Sequence, residues 1–228
     1  MSDRETVRQT EWRPDLVEKL ALYLIADPEA TKRDLVEDVM AALDGGVTCV
    51  QLRAKRLGDA DAWRLAIQLR EQCRYRRALF IVNDRVDLAV AAQADGVHLG
   101  VNDLPPVAAR KIAGPEFVVG YSPQAAWQAA SAIQQGAHYI GAGPVFATTS
   151  KDDAGEPIGP AGLTEWAAAA GVPTVGIGGI TVENAGEVIR AGAVGVSVIS
   201  AILGAADPGE AARRLSGAVR EAQRGARR

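Results

Sequence analysis

The sequence predicts an α/β fold, a single-domain (β/α)8 barrel, on three observations. Short apolar runs alternate with helical stretches eight times between Leu20 and Gln223, the pattern of a parallel sheet wrapped by helices. The runs are nearly continuously apolar, as in Thr48–Leu52, which implies strands covered on both faces. Eight repeats in 228 residues match a compact barrel, typically about 250 residues long. An open, doubly wound sheet competes, but no G-x-G-x-x-G follows the first run, which weakens it.

The elements follow in order. Met1–Lys19 is polar and charged and reads as an N-terminal extension, ahead of a barrel at residues 20–224 and a short basic tail at 225–228. Strands are expected at Leu20–Ala26, Val47–Leu52, Leu79–Val82, Val97–Leu99, Phe117–Gly120, Tyr139–Ala142, Thr174–Gly176 and Val194–Ile199. Helices fill the gaps at Thr31–Leu43, Asp59–Arg74, Val86–Ala92, from Pro105-Pro106 onward, Gln124–Gln135, Ala161–Ala170, Val182–Ala191 and Pro208–Gln223. The proline pair suits a first helical turn, where a missing N–H costs nothing. Gly45-Gly46, Asp95-Gly96, Gly136-Ala137 and Gly192-Ala193 each separate a helix from a strand, which predicts left-handed glycine caps. One loop is long, Gly143–Gly159, and is expected to act as a lid.

Composition narrows the function classes. Apolar residues make up 48% and charged residues 23%, which excludes wholesale disorder. A net charge of −3 gives no electrostatic reason to expect nucleic acid or an anionic membrane as partner. No apolar run approaches the roughly 18 residues of a spanning helix, and the N-terminus lacks a secretory h-region; the expectation is a cytoplasmic protein acting on small molecules, with a homo-oligomer left open. Cys49 and Cys73 form neither a disulfide framework nor a zinc cluster. Only five of the 25 basic residues are lysine, and Lys55 and Lys151 each fall just after an expected strand.

A barrel of this class builds its active site at the C-terminal strand ends. Those positions hold Gln51, Arg53 and Lys55 after strand two, Asn83 and Asp84 after strand three, His98 and Asp103 around strand four, and Ser122 after strand five. Thr148, Thr149, Ser150 and Lys151 lie in the loop after strand six; Gly178, Gly179 and Thr181 follow strand seven, and Ser197 and Ser200 strand eight. GIGGIT (176–181) and GVSVIS (195–200) suit a phosphate, because glycine turns bring backbone N–H groups close to an anion. Gln51, Arg53 and Lys55 share one face of an extended segment. Cations so placed repel unless an anion lies between them, and a pyrophosphate fits that need. Asp84 and Asp103 follow adjacent strands and could share Mg²⁺ with phosphate oxygens; each taken alone reads more often as a helix N-cap. His98 reads either as a group that orients a neighbour or as a satisfied core histidine. His138 precedes strand six, at the wrong end for catalysis.

Q-L-R-A-K (51–55), V-N-D (82–84), G-V-H-L-G (96–100), G-A-G-P-V-F-A-T-T-S-K (141–151), G-I-G-G-I-T (176–181) and G-V-S-V-I-S-A-I (195–202) together resemble the thiamine-phosphate synthase family. The likeness runs in order from Leu20 to Arg214. It implies displacement of pyrophosphate from hydroxymethylpyrimidine diphosphate by the nitrogen of a thiazole phosphate, carboxylated or not, with Mg²⁺ as cofactor. It further implies that Gln51, Arg53, Lys55, Asn83, Ser122 and Lys151 hold the pyrimidine diphosphate and that Asp84 and Asp103 hold the metal. Thr148, Thr149, Ser150, Gly178, Gly179, Ile199 and Ser200 would hold the thiazole phosphate, and Arg53, Lys55, Ser122 and Lys151 form the catalytic set. The chain departs from the family pattern at Ala54, Val101 and Pro123-Gln124, and Ser150 stands where Thr is usual; none of these removes a metal ligand or phosphate cation. Two rivals remain: a related barrel that isomerises a thiazole phosphate carboxylate, which needs no metal, and a non-catalytic barrel that senses thiamine phosphate.

Overall fold

A computed structural model describes residues 14–148 and 155–226. Eight parallel strands close into a barrel in chain order: β1 (Leu22–Ala26), β2 (Cys49–Leu52), β3 (Leu79–Asn83), β4 (Gly96–Gly100), β5 (Val118–Ser122), β6 (Tyr139–Ala142), β7 (Thr174–Ile177) and β8 (Gly195–Val198). The ring closes where Leu22, Tyr23 and Leu24 pair with Val196, Ser197 and Val198. Nearly every strand residue is buried, as the continuous apolar runs require, because one face meets the barrel interior and the other the helices.

The helices are α1 (Leu16–Lys19), α2 (Leu35–Asp44), α3 (Asp59–Tyr75), α4 (Val86–Ala91), α5 (Pro106–Ala113), α6 (Ala126–Ser131), α7 (Gly159–Ala170), α8 (Ala185–Arg190), α9 (Ser200–Leu203) and α10 (Pro208–Ala226). Several of them pack an apolar face against the sheet. In α3 that face is Ala62, Ala66, Leu69 and Cys73, at spacings of three to four residues, the repeat that puts side chains on one side of a helix. Burying a leucine there stabilises by about 1.5–3 kcal/mol.

Several boundaries differ from the sequence expectation, each for a local reason. The first strand starts at Leu22 rather than Leu20, because α1 occupies 16–19 and Leu20 closes it. The second helix starts at Leu35 rather than Thr31, because the Asp34 carboxylate accepts hydrogen bonds from the N–H groups of Val36 and Glu37, as an N-cap does. Pro28–Ala30 forms a separate 3-10 turn before it. The left-handed cap expected at Asp95-Gly96 lies at Gln93 (φ 53°) instead. Gly96 is the first residue of β4, and a Cβ there would run into the Val118 carbonyl; it is needed for space. Gly46, Gly136 and Gly192 do adopt positive φ. Ser200 opens the short helix α9 that the pattern missed.

Candidate active site

The C-terminal strand ends form two abutting cavities. The first, of about 240 Å³, is lined by Arg53, Lys55, Asn83, Asp84, Asp103 and Ser122, together with residues of the β4–α5 and β6–α7 loops. The second, of about 530 Å³, is lined by Gly178, Gly179, Thr181, Ser197, Ile199 and Ser200. They share Thr148, Ile177 and Gly178 as a common wall. Thr149, Ser150 and Lys151 lie outside the described residues.

Charges in the first cavity are arranged in pairs. Asp84 adopts a left-handed conformation (φ 63°), uncommon for a residue with a Cβ. Its N–H donates to the His98 carbonyl at 2.9 Å, which ties this turn to β4. The strained turn sets the Asp84 carboxyl 3.6 Å from the Lys55 ammonium and close enough to Asp103 for the two carboxyls to interact. Asp103 in turn accepts from the Gly100 N–H at 2.6 Å. Burial, then the negative charge of Asp103, pushes Asp84 up to about 6, against the pull of Lys55. Neither aspartate is a helix cap, since Arg85 precedes α4 and Pro105 precedes α5.

Two carboxylates held together, one of them kept from ionising by burial and by the charge of the other, fit a divalent cation. Among the described residues no group of three or more ligating side chains exists. Magnesium held by one or two carboxylates completes its shell with water and phosphate oxygens, and this donor set suits that use.

Arg53 and Lys55 do not face each other as bare cations. Arg53 forms an ion pair with Asp27, both side chains being mostly buried, at 14% and 8% exposure, and Lys55 pairs with Asp84. The expected mutual repulsion is therefore already relieved by carboxylates. Asp27 was missed by reading the ends of strands two to eight; it follows β1 directly, and the same strand-end rule applied to the first strand finds it. Nor does Gln51 join the other two at the cavity wall. It is 2% exposed, and its amide donates to the Tyr23 hydroxyl at 2.6 Å in the barrel interior.

The second cavity is built from backbone. Gly178 (φ 95°) and Gly179 (φ 62°) are left-handed, which glycine adopts without steric cost. Space demands glycine as well: a Cβ on Gly178 would lie 2.5 Å from the Cβ of Pro144, and one on Gly179 would lie 2.5 Å from the Ala147 carbonyl oxygen. The β6–α7 loop lies directly on this turn. Val145 N–H donates to the Ile177 carbonyl at 2.8 Å and Phe146 N–H to the Gly178 carbonyl at 3.1 Å. Asn184, also missed in the sequence, clamps the turn by accepting from the Thr181 N–H and donating to the Gly179 carbonyl. The sequence pattern runs this helix from Val182 and so hides Asn184 inside it, whereas the structure starts α8 at Ala185 and leaves Asn184 at its N-cap.

Comparison with known proteins agrees with this fold. Residues 22–202 match the family model described as thiamine monophosphate synthase. The thiamine-phosphate synthase of Moorella thermoacetica is 51% identical over 191 residues, covering 84% of this chain and 91% of that protein. The thiamine biosynthesis bifunctional protein ThiM/ThiE of Symbiobacterium thermophilum is 51% identical over 210 residues, 92% of this chain but 43% of that longer protein. Among solved structures, thiamine phosphate pyrophosphorylase from Pyrococcus furiosus superposes with a TM-score of 0.84 at 41% identity, over 91% of this chain and 98% of that one. With a closed eight-stranded barrel, paired charges at one set of strand ends and glycine turns at the next, the chain belongs to the thiamine-phosphate synthase family.

Proposed function

We propose that the first cavity holds hydroxymethylpyrimidine diphosphate and the second a thiazole phosphate, with or without a carboxylate. The observation that carries this reading is the shared wall at Thr148, Ile177 and Gly178. On this reading a cavity of charged side chains adjoins a cavity of backbone turns, and the reacting ends of the two ligands would meet at that wall. In the reaction the methylene carbon of the pyrimidine loses its C–O bond to diphosphate and gains a C–N bond to the thiazole nitrogen. The electron pair of the broken bond leaves with pyrophosphate.

No general base is needed for that step. An electron-rich aminopyrimidine stabilises positive charge on the methylene carbon as the diphosphate departs, so the residues need only neutralise the leaving group and position the nucleophile. Arg53, oriented by Asp27, and Lys55 supply fixed positive charge, while Asn83 and Ser122 offer polar groups to the pyrimidine diphosphate. Mg²⁺ held by Asp84 and Asp103 would supply the remaining charge neutralisation. Gly178, Gly179, Ile199 and Ser200 would hold the thiazole phosphate, with Thr148 at the junction. Lys151, Thr149 and Ser150 complete the proposal from the sequence motif.

The isomerising barrel is the less suited reading, because its chemistry gives no role to the Asp84–Asp103 pair. Among the described residues no helix is long and apolar enough to cross a membrane. Mixing the purified protein with both substrates and Mg²⁺ should yield thiamine phosphate and pyrophosphate in equal amounts. Tight binding of thiamine phosphate without turnover would instead support a sensor.

A further inference from the structure

We propose that Gln51 is a positioning residue that fixes the direction of a buried hydrogen-bond chain and so leaves the Ser122 hydroxyl as a donor facing the first cavity. The chain crosses the barrel interior from β2 to β5. Gln51 Nε2 donates to Tyr23 Oη at 2.6 Å, and Tyr23 Oη lies 2.8 Å from Tyr139 Oη. Tyr139 Oη lies 3.0 Å from His98 Nδ1, and His98 Nε2 lies 2.7 Å from Ser122 Oγ. Gln51, Tyr23, Tyr139 and His98 are all buried, so solvent does not compete for the first three of these bonds, and the fourth, His98 to Ser122, opens on the first cavity.

The barrel is shaped around this chain. His98 on β4 and Tyr139 on β6 both pair in register with Gly120 on the strand between them. A Cβ at Gly120 would occupy the place of both side chains. The missing side chain on β5 lets its two neighbours meet across it.

Direction follows from proton counting. An amide nitrogen can only donate. Tyr23 Oη accepts that proton and offers its own to Tyr139 Oη. Tyr139 then donates to His98 Nδ1, and since a neutral imidazole carries one proton, that proton is on Nε2 and is given to Ser122 Oγ. Ser122 has one hydroxyl proton left, directed away from His98 toward the cavity, where an acceptor-only diphosphate oxygen can take it. Burial pushes both phenols up, so each keeps the proton it must pass along. Reversed, the chain would turn Ser122 lone pairs toward the anion.

The tautomer of His98 reports the direction. In ¹⁵N-histidine NMR, with His98 and His138 as the two histidines of the chain, the ligand-free protein is expected to show His98 protonated on Nε2. Gln51→Glu, examined where infrared shows the introduced carboxyl ionised, replaces the donor by an acceptor and is expected to move the proton to Nδ1. Tyr23→Phe cuts the chain, and in its presence Gln51→Glu should no longer affect the tautomer. The binding arm rests on the reading of the first cavity as the diphosphate site: Gln51→Glu should weaken inorganic pyrophosphate with Mg²⁺ by about tenfold in calorimetry. Wild-type His98 protonated on Nδ1, or a folded Gln51→Glu protein still protonated on Nε2, overturns the proposal. A switched tautomer with unchanged pyrophosphate affinity overturns instead the placement of the diphosphate at Ser122, so the two failures are distinguishable.

Discussion

The two cavities meet at one wall and are made of different materials. The first is side chains: Arg53 against Asp27, Lys55 against Asp84, Asp84 against Asp103. The second is main chain: a left-handed glycine pair, the loop lying on it and the Asn184 clamp. A site of paired charges depends on protons and cations, whereas a site of turns depends on backbone shape. Single substitutions should therefore damage one ligand's binding at a time.

The largest effect is expected at the carboxylate pair. Asp84→Asn and Asp103→Asn should each cut turnover by about 10²–10³-fold, the scale of removing one electrostatic contributor to a transition state. The double variant should lose less than the product of the two, since groups acting on one ion are non-additive. Steady-state rates at rising Mg²⁺ check this, with partial rescue of the single variants expected. Excess EDTA should abolish wild-type activity; full activity in EDTA would exclude a shared metal.

Next comes the ion pair behind the cavity. Asp27→Asn leaves the mostly buried Arg53 guanidinium without its carboxylate and should destabilise the fold by about 2–4 kcal/mol. Urea unfolding measures it, and a loss below about 0.5 kcal/mol would make the pair dispensable. In the second cavity, Gly179→Ala puts a Cβ into a left-handed turn 2.5 Å from the Ala147 carbonyl oxygen. Strain of about 1–3 kcal/mol is expected, together with a loss of thiazole-phosphate affinity of about tenfold or more.

The smallest effect is a pH slope. Asp84 sits above its ordinary value of 3.8, at about 6, so the metal-free native state binds this proton more tightly than the unfolded chain does. Unfolding in that window releases protons, so this contribution to stability is full below 3.8 and is lost as pH rises through about 6. Denaturation with EDTA across that range should show wild type losing stability relative to Asp103→Asn, in which the raising charge is absent. Equal slopes would argue against the coupling.

How much of this was readable in the sequence follows the same division. Strand and helix order was legible because period and apolar runs are local signals. The glycine turns of the second cavity were legible too, since GIGGIT states its backbone demands in consecutive letters. The structure adds that Gly178 and Gly179 make room for the β6–α7 loop, a contact between segments some thirty residues apart. The first cavity was legible in membership but not in pairing: Arg53 and Lys55 were visible, yet Asp27 reaches Arg53 only because β1 and β2 lie side by side. Gln51 was assigned to the wall by period-two alternation, but its partner Tyr23 comes from a neighbouring strand and keeps it inside. The four-residue helix α9 is too short for a periodic signal.

The most direct test of the two-site account is a crossed binding experiment. Isothermal calorimetry would follow inorganic pyrophosphate with Mg²⁺, and separately the thiazole phosphate, on wild type, Asp84→Asn and Gly179→Ala. The account predicts that Asp84→Asn loses pyrophosphate but keeps the thiazole phosphate, and that Gly179→Ala does the reverse. If both variants lose both ligands to the same degree, the two cavities are one site and the account is wrong.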